Sequence, residues 1–559
     1  MDTKNIIAAI SLSAAVIILY GLFFAPEPQT LDQKKILQEK NEAVQNSETP
    51  SLEQNEEILK ISREDALQET KRIDFENENI KGTISLVGGI IDDLTFKKYT
   101  ETLNGNDRIV LLHPKNIDNG YYIETGWVTN SEIELPNSKS LWTIQGNNKL
   151  IPNNSVKMLW TNNKGIIFEK KISIDKQYLF TIDQKIINNS EKTYNFYPYG
   201  QIIRNSAPEV TNFYILHEGL LGVFDEQLVE KDYEDIEEKK YSINANSGWL
   251  GITDKYWISS LIPEKNKNFR ADFDYKNKFK ASYIETKAIE IGANENKSSQ
   301  IKVVIAAKEV EVIDGYAESL NVNKFDLVID WGWFYFIVKP LFFVIDYFFK
   351  ITGNFGIAII LITLCIRIAF FPLANYSFRS MAKMKVLQPE MTRLKELHKD
   401  DKMKLQQEMM SLYKKEKVNP ASGCLPILIQ IPFFFAIYKM LFVTIEMRHQ
   451  PFFGWIHDLS ERDPTSIFNL FGLIPWDPPG FLLIGAWPIL MGVTMYLQQK
   501  LNPTPPDPVQ AKIFMFFPLF LTVILAPFPS GLVIYWTVNN LLTMAQQVVI
   551  MKKTTVKTV

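Results

Sequence analysis

From residue 513 to residue 551 the chain runs for 39 residues without a charged side chain. Uncharged apolar runs of this length belong in a bilayer. One helix this long would overshoot the membrane, and the breaker APFPSG at 526–531 interrupts it. The stretch therefore divides into two spans, 513–526 and 531–551. The first holds only 14 residues, a rise of about 21 Å against a hydrocarbon core of about 30 Å. Such a mismatch favours local thinning of the bilayer.

The rest of the chain is uneven. Its mean hydropathy of -0.06 averages two different halves. Residues 27–325 are polar and rich in Asn, Lys, Glu and Ile, whereas 326–551 are dominated by Phe, Leu, Ile, Pro and Met. This contrast predicts a soluble domain joined to a membrane domain. A net charge of -3 argues against a nucleic-acid binder. The two cysteines, Cys365 and Cys424, lie in or beside apolar spans and read as small hydrophobes. They form no disulfide framework or metal-ligand spacing. The five histidines form no HExxH motif.

A first apolar run, 5–24, is long enough to cross a bilayer. No A-x-A cleavage site follows it and Pro26 comes directly after Ala25, so residues 1–26 read as an uncleaved anchor. The polar stretch 27–58 cannot bury a core and reads as a linker. Residues 59–320 carry short runs of period-two alternation, such as KKISIDKQYLFTIDQKIIN, broken by Asn-rich turns. They predict one large all-β sandwich. Its one His–carboxylate neighbour pair, His217-Glu218, suits a surface pair better than a catalytic one.

The segment 326–351 is aromatic, yet Asp330, Lys339, Asp346 and Lys350 interrupt it and Pro340 breaks it. It predicts an amphipathic helix lying in the membrane interface. Further spans are expected at 355–374, 425–445 and 481–499. Residues 375–424 lie between the first two as a charged segment, and 446–480 form a loop containing Trp455 and Trp476. With 1–26 and the pair within 513–551, six transmembrane helices result.

Eleven Lys and Arg in 375–424, with Lys552, Lys553 and Lys557 in the tail 552–559, put both segments in the cytoplasm. Six spans then make both termini cytoplasmic and the β domain extracytoplasmic.

Segment 375–424 predicts two antiparallel helices turning near 398–401. Met384, Leu387, Met391, Leu394 and Leu397 recur at steps of three and four. Six methionines between 381 and 410 offer an adaptable surface. Met384 and Met391, with Lys383 and Lys385, are the expected contacts to clients or partners. Sealing of the two helices against each other is the simpler role for the methionines. The basic excess suits anionic headgroups or an acidic partner such as a ribosome surface.

A charge sits inside the apolar span 355–374. Arg367 follows IILITLCI, where a central arginine costs roughly 2.5–3.5 kcal/mol on insertion scales. No Asp or Glu occurs in the apolar runs 5–24, 355–374, 425–445, 481–499, 513–526 and 531–551. A structural ion pair within the membrane is therefore excluded, and a proton-coupled transporter is disfavoured. Snorkelling to headgroups is one role for it. Thr363 shares its helix face one turn earlier. Gln430, Thr494, Gln498, Tyr535, Asn539, Asn540, Thr543 and Gln547 fall mostly in the cytoplasmic halves of the other spans, given the topology above. Such residues can serve as helix–helix glue. Their common polarisation points instead to a wet pocket, open inward and closed outward, with Arg367 as its fixed charge. A guest segment with an acidic tail would fit it.

Several stretches resemble the YidC family of membrane protein insertases over 330–551. They are FFPL after the arginine, SMAKMKVLQPEM, QQEMMSLYKKEKVNPASGCLPILIQIPFFFAIYKML, PFFGWIHDLSERDP, PILMGVTMYLQQKLNPTPPDPVQAKI and FPSGLVIYWTVNNLLTMAQQ. The layout resembles the Gram-negative branch: an anchor, a periplasmic β-supersandwich, an interfacial helix and a five-helix core. The resemblance implies a non-enzymatic insertase and chaperone of the inner membrane, acting alone or beside the Sec translocon. Its partners would be nascent clients, lipid, and a ribosome or targeting receptor, without cofactor or metal. Arg367, Thr363 and Gln430 match the family's groove residues. Tyr535 and Trp536 fall where members carry a substrate-touching Tyr pair, and tryptophan departs from that pattern. The segment 466–480 is longer than the family leads one to expect before the fourth span. A transporter using the same cavity, or a carbohydrate-binding role for the β domain, are the alternatives.

Overall fold

Alternation builds the first half of the molecule. In the strand Ile166–Ile174 every second residue is buried, because successive side chains point to opposite faces. Leu179–Asn188 alternates in the same way. The two pair antiparallel, with Ile182 opposite Ile172 on one side and Ile301 on the other. The same periodicity turns Lys170 inward, where its Nζ donates to the carbonyls of Gly89 (3.2 Å) and Thr125 (2.6 Å). Burial pushes this ammonium down to about 8.

The computed structural model describes residues 60–209, 216–332, 334–398, 401–416, 418–419, 425–476, 478–502 and 508–555. The expected anchor 1–26 and linker 27–58, and the end of the tail, lie outside the described residues. Strands between Arg72 and Ala307 form two sheets, of eleven and nine strands. The β-rich domain expected over 59–320 is thus present. Pairing is antiparallel except where Arg72–Glu76 runs parallel to Lys149–Leu150. Two short helices, α1 (Arg63–Gln68) and α2 (Tyr233–Glu238), decorate it. Phe168, Phe180, Phe196, Trp249 and Val303 lie in the buried core.

Two pleated strands meet closely at Gly82. A Cβ there would overlap the Asp93 carbonyl and the Phe75 ring. Gly82→Ala is therefore expected to destabilise the β domain by about 1–3 kcal/mol, read as a lower thermal unfolding midpoint of the full chain. An unchanged midpoint would refute the close approach.

Helix α3 (Val310–Ser319) leads out of the sandwich to α4 (Tyr335–Thr352). One stripe of α4 is buried through Val338, Leu341, Phe342 and Ile345. Its other side exposes Phe336, Phe343, Tyr347 and Ile351. Both of its lysines are paired. Lys339 donates to Asp314 (2.9 Å) and Asp326 (2.7 Å), and Lys350 pairs with Asp346 at 2.8 Å.

Gly353, with φ of 69°, caps α4 in the left-handed region that glycine tolerates. Asn354 then caps α5 (Phe355–Ala369), its side chain accepting from Ile357 N at 3.1 Å. The chain bends by 68° into α6 (Phe371–Leu397), which has proline in its first turn. Helix α6 therefore starts inside the stretch read as span 355–374. Helix α7 (Lys402–Lys415) returns as the second arm of a hairpin. The remaining helices are α8 (Leu425–Val443), α9 (Ala486–Leu501), α10 (Pro508–Leu525) and α11 (Ser530–Thr555).

The uncharged run expected as a short fifth span lies almost entirely within a longer helix. Helix α10 has 18 residues, about 27 Å, because it continues five residues N-terminal to the uncharged run. The shorter helices are α5, with 15 residues, and α9, with 16. Among the described residues no single helix is long and apolar enough to cross a membrane; the bent pair α5–α6 meets those criteria only when taken together.

The β domain and the helices share one buried core. Arg448, beyond α8, donates to the carbonyls of Thr100 (2.7 Å) and Glu101 (3.1 Å). Lys439 pairs with Asp330 at 2.8 Å. Glu446 accepts from Val310 N, in the first turn of α3, at 2.7 Å.

Candidate functional site

Helix α5 brings Thr363 and Arg367 one turn apart, as their spacing requires. Thr363 is buried, and its hydroxyl donates back to Ile359 O at 2.6 Å. Arg367 reaches across to α11. Its Nε donates to Asn539 Oδ1 at 2.9 Å, and its Nη2 to the Asn539 carbonyl at 3.3 Å and to Thr543 Oγ1. From α8, Gln430 Nε2 donates to the same Asn539 Oδ1 at 3.0 Å. Asn539 is thus the hub that orients the arginine. Every partner is neutral, and no ion pair to Arg367 occurs among the described residues.

Thr363, Arg367, Gln430 and Asn539 line one cavity with Tyr535, between walls that include Phe370 and Phe433. The two rings lie 5.5 Å apart, edge to face. The space inside is about 30 Å³, enough for roughly two waters. Where a wet pocket is expected, the structure holds a narrow slot.

The other expected groove residues do not join it. Thr494 and Asn540 are buried together between α9 and α11, with Asn540 Nδ2 donating to Thr494 Oγ1 at 3.1 Å. Gln547 donates to Asn502 Oδ1 at 2.9 Å on the same side. A single residue step turns a helix by about 100°, so Asn539 and Asn540 serve different faces. Gln498 is half-buried on α9 and does not line the slot. Trp536 packs edge to face on Phe434, with centroids 4.7 Å apart. Thr543 lies four residues after Asn539 and shares its face, a spacing that marks it as part of the arginine site. Phe370 and Phe433 carry no polar signal and are legible only in three dimensions.

Helix–helix glue therefore accounts for the Thr494–Asn540 pair. Asn540→Leu is expected to lower stability in detergent by about 0.6 kcal/mol, the average for such bonds. Asn539→Leu should free both Arg367 and Gln430 and disturb the slot. Parallel thermal and activity measurements on the two variants check this; equal loss of activity in both would contradict the division.

The hairpin sorts its methionines. Met391 is buried, its Sδ 4.0 Å from the Tyr413 hydroxyl of the other arm. It seals the arms rather than facing a client. Met384 is half-buried, while Lys383 and Lys385 are exposed. The freely exposed methionines are Met403 and Met410. In the β domain, His217 and Glu218 turn to different partners. The His217 ring bonds Asp232 at 3.0 Å, and the Glu218 carboxylate accepts from Lys255 N at 3.0 Å. They form no dyad.

Comparison with known proteins follows this division into halves. A family model described as YidC periplasmic domain matches residues 72–344, and one described as 60Kd inner membrane protein matches 347–557. The chain is 66% identical to "Membrane protein insertase YidC" of Pelagibacter ubique (strain HTCC1062), over the whole length of both. It is 42% identical to the protein of that name from Brucella suis biovar 1 (strain 1330), covering 100% of this chain and 96% of the relative. A crystal structure of an active YidC insertase with its first transmembrane domain resolved aligns over 85% of this chain and 92% of that one. The TM-score is 0.36, at 16% identity. Full-length identity of this order, with both halves matched in sequence, makes this chain a member of the YidC family.

Proposed function

We propose that the chain is a membrane protein insertase and chaperone of the bacterial inner membrane. The observation that carries this is the charge of Arg367. It is held among uncharged partners, in helices without a carboxylate. A fixed positive charge without a counter-ion attracts an acidic or polar guest tail part-way across the membrane, while the guest's apolar segment moves out to lipid. Six spans, an inward-opening groove, cytoplasmic termini and a periplasmic β domain complete the reading. The eleven basic residues of 375–424 support that orientation. The exposed apolar stripe of α4, with Lys339 paired to Asp314 and Asp326, supports an interfacial helix. Nascent clients, the Sec translocon, the ribosome and a targeting receptor are the proposed partners. Lys383, Lys385 and the exposed methionines of the hairpin form the proposed cytoplasmic contact surface.

The test is insertion of a single-span client into liposomes containing only this protein. Protease-protected client is the expected result. Uptake of small solutes without client insertion would replace this reading with a transporter. Activity carried by residues 60–310 alone would move the function to the β domain.

A further inference from the structure

Beyond α8 the chain builds an apolar knob that neither the slot nor the β domain uses. Residues 466–476 carry no charge, between Arg462 and Asp463 on one side and Asp477 on the other. Phe468, Leu470, Phe471, Leu473, Ile474 and Trp476 are all exposed, Leu473 to 83%. Exposed apolar clusters of this kind mark interaction or membrane surfaces.

The knob is a built feature. Ser466 Oγ donates to Leu482 O (2.8 Å) and accepts from Phe468 N (3.2 Å). Phe471 N bonds Ser466 O at 2.7 Å, Gly472 N bonds Asn469 Oδ1 at 3.0 Å, and Asn469 Nδ2 closes the loop on Trp476 O at 3.3 Å. Leu470 and Phe471 are held at φ of 50° and 58°, a left-handed conformation that bulky residues rarely adopt. These bonds hold the large side chains outward in spite of the strain.

Its base lies beside the start of α9. Ile467 N donates to Ile484 O at 3.1 Å, two residues before α9 begins. Asp463 fastens the same corner, accepting from Trp487 N (2.9 Å) and Trp455 Nε1 (3.1 Å). The surface is uncharged and includes the exposed Trp476, which suits the headgroup–acyl boundary.

We infer that this knob is a wedge embedded in the outer leaflet, with lipid as its partner. The inference rests on the topology proposed above, which places the outer end of α9 at that leaflet. The wedge fixes the depth of the short helix α9 and displaces outer-leaflet lipid beside the insertase core.

The test uses the full chain, with Cys365 and Cys424 replaced by serine, in phosphatidylcholine–phosphatidylglycerol liposomes. Single cysteines are placed by Leu473→Cys, Phe468→Cys, Leu103→Cys in the β domain and Leu397→Cys in the hairpin. Each is labelled with an environment-sensitive fluorophore. At positions 473 and 468 the emission should shift to the blue, be quenched by brominated lipid, and escape quenching by aqueous iodide. Position 103 should do the reverse. An impermeant thiol reagent, applied before and after permeabilisation, should find 103 and 397 on opposite sides. If it does and iodide quenches 473 and 468, the wedge is overturned while the topology stands. If 103 and 397 lie on one side, the topology fails and takes the wedge with it. A blue shift that requires added client would make the knob a client surface and overturn the lipid assignment.

Discussion

Arg367→Ala should slow insertion of a client with an acidic tail by about tenfold, equivalent to about 1.4 kcal/mol. The cause is the loss of the one fixed charge in the slot. A client with an uncharged tail should lose far less, because it gains little from that charge. Arg367→Lys keeps the charge but loses the two-point grip on Asn539 and Thr543. It should therefore retain most of the selectivity for acidic tails. Salt should narrow the difference between client types in the wild type and leave Arg367→Ala nearly unaffected. The measurement is the initial rate of insertion in liposomes for matched clients differing only in tail charge. Equal loss for both tails would reduce Arg367 to a structural role.

Glu446→Gln should stabilise the protein above neutral pH. Although the residue as a whole is half-buried, its Oε2 is shut off from solvent, with no hydrogen-bond partner among the described residues. Burial, opposed by the bond from Val310 N, pushes the carboxyl up to about 7, and the neighbouring Glu309 and Asp346 raise it further. The folded state therefore holds the proton more tightly than the unfolded chain, whose carboxyl titrates near 4.5. Its contribution to stability is fully present below about 4.5 and is lost as pH rises through about 7. Glutamine has the same shape, accepts from Val310 N and stays neutral, so it removes this loss. After allowing for its own buried N–H groups, the gain at pH 8 should be about 1–2 kcal/mol. Near pH 4.5 the variant and the wild type should be equally stable. Thermal unfolding of both proteins in nanodiscs across this range checks it. A gain that is the same at all pH values would show that the carboxyl is not the titrating group. Glu446 joins the end of α8 to the first turn of α3, so the same experiment reports how firmly the β domain sits on the helices.

Sequence reading went furthest where one local rule decides the outcome. Period-two alternation located the β domain, although nothing in it named Lys170 as buried or the carbonyls of Gly89 and Thr125 that receive its ammonium. Residue spacing set Arg367 one turn from Thr363. It did not divide Asn539 from Asn540, because both look alike in a polar stripe and only the packing of α9 and α5 on opposite sides of α11 separates them. The helix at the expected fifth span is longer than the charge-free stretch assigned to that span, because it begins at Pro508 and includes Lys512.

By itself the sequence determined the two-part architecture, a charge in an apolar span without a counter-ion, and Thr363 one turn from that charge. These follow from composition and from periods of two and 3.6, which are properties of the chain alone. Only the tertiary structure decided that Asn539 is the hub, that the cavity is a slot walled by Phe370 and Phe433, and that Glu446 ties the two halves together. Each of these depends on side chains separated by many residues meeting at hydrogen-bond distance. That meeting is set by how helices cross and sheets pack, which no local pattern encodes.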